Sequence, residues 1–165
     1  MFFKTFLGKM LLVLLISMVP IVELRGAIPV GYGLGIDNIW ILTVLAVLGN
    51  LLPVPFIILF IRRIFAWIRK HLSKLDSFIT KLEDRANSKS EKVQKSAFWG
   101  LFIFVAIPLP GTGAWTGALI AAMLDMRLKK AFPAIAAGVV AAGIIIATLV
   151  SIFGRPVLEL FGMKV

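Results

Sequence analysis

The chain has 165 residues, of which 60% are apolar and 16% charged, and its mean hydropathy is +1.00. A water-soluble domain of this length cannot cover so much apolar side chain, so the composition assigns an integral membrane protein. The net charge of +10 is held by basic residues that flank apolar segments, with no aromatic-basic pattern, which excludes nucleic acid and makes anionic lipid headgroups the expected partner. There is no cysteine, hence neither a disulfide nor a thiolate metal site.

Taken from the N-terminus, Lys4 and Lys9 precede an apolar run that imitates a signal peptide, but no Ala-x-Ala-like site follows and retention is expected. Met10 to Val22 is too short to span a bilayer. It runs into a broken motif, Val19-Pro20-Ile21-Val22-Glu23-Leu24-Arg25-Gly26-Ala27-Ile28-Pro29. Ile39 to Ile61 is an uncharged run of 23 residues, enough for a full span, with Asn50 one turn before Pro53 and Pro55 as a kink or gate. From Arg62 the apolar positions recur every three or four residues to Leu82, with basic residues on the other faces, which predicts an amphipathic connector that is broken at 87–90. His71 lies within it and reads as a surface residue. Ser96 to Leu124 is overlong and is cut by a second motif, Ile107-Pro108-Leu109-Pro110-Gly111-Thr112-Gly113-Ala114-Trp115-Thr116-Gly117, and Ala131 to Phe153 is a second uncharged run of 23 residues.

The basic residues arrange these segments. Ten lie between Arg62 and Lys95, and Arg127, Lys129 and Lys130 form a second cluster. Both clusters are cytoplasmic only if 96–124 enters the membrane and returns, which places the connector 62–95 inside and both termini outside. Each half then repeats one plan of short helix, Pro/Gly break, short helix and full span: 10–22, 26–36 and 39–61, then 97–107, 114–124 and 131–153. The stripes Ala27-Gly31-Gly35 and Gly113-Gly117-Ala121 match. The expected fold is one all-α membrane domain of two inverted repeats, 10–61 and 96–153, each a re-entrant hairpin followed by a transmembrane helix, with a short tail at 154–165.

Ions and broken backbone at membrane depth are tolerated where they line a protein cavity, so both motifs are candidate transport sites. Glu23 is the candidate proton acceptor. Arg25, beside Gly26, is the candidate anion ligand, because a guanidinium donates two parallel hydrogen bonds to phosphate. Pairing of Glu23 with Arg25 to fix the hairpin tip is the structural alternative. Gly111, Thr112 and Gly113 precede a helix whose first N–H groups lack partners, an anion site in which Thr112 is equally an N-cap, with Trp115 beside it. Asp37 and Asp125 read as matching turn residues. With one histidine, and with the acids Glu23, Asp37, Asp125 and Glu159 far apart and without metal-ligand spacing, there is no metal cluster or catalytic constellation; no cofactor and no enzyme activity are expected.

The segment Glu-Leu-Arg-Gly-Ala-Ile-Pro at 23–29, with Pro-Leu-Pro-Gly-Thr-Gly-Ala-Trp-Thr-Gly at 108–117, resembles the putative small multidrug export protein family, a likeness running from about Pro20 to Val150. That family is in turn similar to the DedA and VTT-domain proteins, which implies paired re-entrant hairpins and movement of lipids, polyprenyl-phosphate carriers included. Glu23 matches the acid of their first hairpin. Their second-hairpin arginines have no counterpart here, so that role falls to Arg25. The expected function is a proton-coupled flippase or scramblase of a phosphate-bearing lipid, with a homodimer as the expected oligomer. Export of amphipathic or cationic small molecules is the alternative within transport, and a non-transporting membrane scaffold is the alternative outside it.

Overall fold

The computed structural model describes residues 5–71, 91–109 and 111–160. All regular structure among them is helical: α1 (Phe6–Ser17), α2 (Glu23–Gly33), α3 (Ile39–Leu51), α4 (Val54–His71), α5 (Glu91–Ala106), α6 (Ala114–Met123) and α7 (Leu128–Leu160). Two stretches are long and apolar enough to cross a membrane, Ile39–Ile64, which α3 and α4 share, and Leu128–Gly154 in α7. The rest of the expected amphipathic connector, 72–90, the tail 161–165 and Pro110 lie outside the described residues.

The first short helix ends earlier than the apolar pattern suggests. α1 stops at Ser17, residues 18–22 form the turn, and α2 begins at Glu23 rather than after the Glu23/Arg25 pair. Pro29 does not break α2, because a helix of 11 residues can leave one carbonyl without its N–H donor. The first span, in contrast, is broken. Pro53 and Pro55 carry no N–H for the carbonyls of Gly49 and Leu51, and the chain passes through a turn at 52–53 before α4.

α2 and α6 end alike. The amide of Ile36 bonds the Gly31 carbonyl and that of Gly35 the Tyr32 carbonyl; in α6, Met126 bonds Ala121 and Asp125 bonds Ala122. This double bond closes a helix on a left-handed residue, here Gly35 (φ 80°) and Asp125 (φ 49°). Asp125 therefore corresponds to Gly35 and not to Asp37, which precedes the true N-cap of α3, Asn38, whose side chain accepts from the amides of Trp40 and Ile41. Asp125 is also held from outside its turn by an ion pair with Arg62 of α4, so the start of the basic connector and the α6–α7 turn lie at one end of the molecule.

Small residues set the helix contacts. Gly31 of α2 lies against Val13 of α1 and Leu42 of α3, and Gly117 of α6 lies against Val105 of α5, each so closely that a methyl would collide. α1, α2 and α3 pack on one another, as do α5, α6 and α7, while α2 crosses to pack on α7 and α6 crosses to pack on α4. The core is apolar, with Leu24, Ile28, Leu42, Ile58, Ala118, Ile135 and Val139 buried, yet so is much of the exterior. Leu7, Leu11 and Leu15 on α1, Phe56 and Phe60 on α4, Ile103 on α5 and Ile152 on α7 are exposed, as are Trp40, Trp67 and Trp99. A hydrocarbon solvent carries no penalty for such a surface.

Candidate functional site

The fold brings the two broken motifs together. Glu23 opens α2 in the left-handed region (φ 50°), a conformation that costs a non-glycine residue about 1–2 kcal/mol. In a regular helix, side chains two residues apart diverge, and this turn of the backbone is what lets Glu23 meet Arg25. Arg25 Nη1 donates to Glu23 Oε2 at 2.5 Å. The other carboxylate oxygen, Oε1, accepts from the backbone amide of Trp115 at 3.2 Å. Trp115 is the second residue of α6, so the negative charge that the N-terminus of α6 favours is supplied by Glu23 of the first motif.

The glycine at 113 makes this possible. It is the N-cap of α6, and a Cβ placed there would fall on the Glu23 carboxylate. Thr112 does not cap the helix. Its hydroxyl donates toward the carbonyls of Ile107 at 2.7 Å and Leu109 at 2.9 Å, closing the turn before α6. Arg25 Nη2 reaches the same turn, donating to Thr112 Oγ1 at 3.2 Å and to the carbonyls of Ile107 at 3.1 Å and Val105 at 3.3 Å. These carbonyls end α5, where Pro108 interrupts the helix and cations are favoured. The Trp115 indole N–H donates to the Met18 carbonyl at 3.0 Å, tying the second motif to the end of α1 as well.

Glu23, Arg25, Thr112, Gly113 and Trp115 are thus one cluster, and the pairing alternative raised by the sequence describes its ground state. One donor stands apart: Arg25 Nε is buried and has no acceptor. Gly111, in the turn with φ 82°, has open space beside it, and Gly26 packs only on Val22 of its own turn. Asn50, Pro53 and Pro55 belong to the α3–α4 break, and the structure does not bring them into the cluster. Sequence reasoning missed the carbonyls of Val105 and Ile107, whose signal was Pro108, and it missed an apolar groove. The groove is a cavity of about 400 Å³ lined by Pro29 and Tyr32 of α2 and by Ile146, Leu149, Val150 and Phe153 of α7. Arg25, Pro29 and Tyr32 follow one another at helical spacing along one side of α2. No set of three or more His, Asp or Glu side chains among the described residues is placed to hold a metal.

No curated protein and no solved structure matches the chain. The profile of the family described as "Putative small multi-drug export protein" does match, over residues 23–145, a stretch that begins at Glu23 and contains Arg25 and the whole of the second motif. That is more than half of the chain, and the protein belongs to this family of small export proteins.

Proposed function

We propose that this protein moves a phosphate-bearing amphiphile across the membrane, with Arg25 as the headgroup ligand and Glu23 as the group whose protonation frees it. The observation that carries the reading is Arg25 Nε, a buried donor left without an acceptor at the edge of a guanidinium whose other nitrogens are engaged. Such a group asks for an oxygen-rich anion, and a phosphate meets Nε and an adjacent Nη in parallel. Protonation of Glu23 removes the charge opposing that exchange. The apolar groove along Pro29 and Tyr32 suits the hydrocarbon tail, because it lies further along the same side of α2. Two inverted re-entrant hairpins are the architecture we infer. The shared helix ends at Gly35 and Asp125, the matched contacts of Gly31 and Gly117, and the reciprocal packing of α2 on α7 and of α6 on α4 support that reading. It is also the basis of the proposed kinship with DedA proteins.

The family description favours a second reading, export of cationic small molecules, in which substrate competes with Arg25 for Glu23. Liposomes containing the purified protein separate the two. Polyprenyl phosphate or phospholipid should cross faster with protein than without, faster at low pH, and with Arg25→Lys weakening lipid affinity by about 1–3 kcal/mol because the fork is lost while the charge stays. Movement of a cationic dye with static lipids would replace the lipid reading by the drug reading. Movement of neither would leave a membrane scaffold.

A further inference from the structure

The two long apolar stretches differ in one respect. α7 runs through its stretch as a single helix, whereas the first stretch is cut at 52–53 into α3 and α4. Bending at the cut breaks few bonds. Pro53 and Pro55 have no N–H to give the carbonyls of Gly49 and Leu51, and the buried side-chain amide of Asn50 has no hydrogen-bond partner to lose. Beyond the cut, α4 packs chiefly on α6 and only slightly on α3 and α7. It buries Val54, Ile57 and Ile58 and leaves Phe56, Leu59 and Phe60 exposed, while α6 buries the small residues Ala114, Ala118 and Ala121. In hydrocarbon the hydrophobic effect does not press two apolar helices together, because lipid tails replace either partner equally well. Dispersion along that face, and any polar bond between the two helices, must hold α4 in place.

Arg62, more than two turns along α4 from the cut, makes such a bond. Its Nε donates to Asp125 Oδ1 at 3.1 Å, and its Nη2 donates to the same oxygen and to the Asp125 carbonyl at 3.2 Å. Position 125 needs a left-handed backbone, which glycine supplies without strain at the corresponding Gly35. Aspartate takes that conformation at some strain and adds the carboxylate that Arg62 grips. We propose that α4 is a lateral gate, hinged at 52–53 and latched over α6 by Arg62 on Asp125, which opens toward the surrounding lipid when the latch parts. Opening uncovers the side of α6, the helix whose first turn holds the Glu23 carboxylate, and gives an amphiphile a way from the bilayer toward the cluster. The gate serves a lipid and a cationic drug alike, so it stands whichever of the two is carried.

The test is the distance between spin labels on Phe60→Cys of α4 and Met123→Cys of α6, both exposed sites, in the full chain reconstituted in phosphatidylcholine nanodiscs. The otherwise wild-type chain should give chiefly one short distance. Arg62→Gln and Asp125→Asn should each raise the share of a longer distance, relative to the short one, by up to about fivefold, the range of a partly exposed ion pair. Asparagine accepts the left-handed turn, so Asp125→Asn removes the charge and keeps the fold. The double variant should open no further than either single one, because the two residues make one interaction. Salt at about 1 M, where charges are screened beyond about 3 Å, should open the wild type and leave the variants as they are. Pro53→Ala, which returns a donor to the Gly49 carbonyl, should bring Arg62→Gln back toward the short distance. One short distance in every variant and at every salt would overturn the gate, as would single-variant effects that add in the double. A longer distance that Pro53→Ala leaves unchanged would overturn the hinge at 52–53. No arm of the test measures transport, so failure of the gate is distinct from failure of the lipid reading.

Discussion

At the scale of single residues, the Glu23–Arg25 pair is bound on both sides by the other motif, and its stability follows from that geometry. Removing Arg25 alone leaves a buried carboxylate without its counter-charge; Arg25→Ala should lower stability by about 3–5 kcal/mol, and Glu23→Gln combined with Arg25→Met should recover much of the loss, as read from detergent melting curves. A double mutant no more stable than Arg25→Ala would show that the pair does not act as a unit. Gly113→Ala should also be damaging, by about 1–3 kcal/mol, because its methyl displaces the Glu23 carboxylate from the α6 N-terminus. Gly100→Ala is the control: a Cβ there meets nothing within 4 Å, and the exchange should stabilise α5 by up to about 1 kcal/mol. Glu23, Arg25 and the 111–113 turn could be singled out in the sequence because charge and glycine are conspicuous in an apolar chain. Their arrangement was not. Nothing in the spacing of Glu23 and Arg25 reveals a left-handed residue at the head of α2, and the partners of Arg25 on α5 are backbone atoms, which residue identity does not advertise.

At the scale of elements, the two uncharged runs of 23 residues became the two long apolar stretches, since length and hydropathy alone decide them. Helix ends were less legible. Pro20 and Pro29 bracket a region that reads as one break, whereas the chain breaks only at 18–22 and carries Pro29 inside α2. Asp125 looks like the partner of Asp37 by sequence but takes the place of Gly35, because the backbone conformation of a turn, not its side chain, sets the correspondence. The contact of α1 with α3 rests on Gly49, where a Cβ would meet Ser17 and the Leu14 carbonyl. Backbone cannot yield as a side-chain tip can, so Gly49→Ala should cost about 1–3 kcal/mol and loosen the first three helices. Cross-linking between cysteines introduced into α1 and α3 should weaken in parallel; an unchanged melting point would mean that the helices slide apart freely.

At the scale of the whole molecule, the ion pair between Arg62 and Asp125 fixes the start of the connector and the α6–α7 turn at one end, the end that the proposed topology assigns to the cytoplasm because basic residues surround it. The chain has no native cysteine, so single cysteines report cleanly. One at Lys129 should react with an impermeant thiol reagent only from the cytoplasmic side, and one at Asp37 only from outside; labelling of both from one side would defeat the inverted arrangement. The meeting of the motifs also has a consequence in time. Arg25 and the Ile107 carbonyl that it bonds are 82 residues apart. A ribosome adds about 5–20 residues per second, so roughly four to sixteen seconds separate the synthesis of Arg25 from that of its partner. During that interval the Glu23 carboxylate and the Arg25 guanidinium lack the partners that the second half supplies, and the nascent first half carries a polar pair that is only partly satisfied. Synthesis of the second half closes that window, and Gly113, which leaves room for the Glu23 carboxylate at the head of α6, is the residue that lets it close.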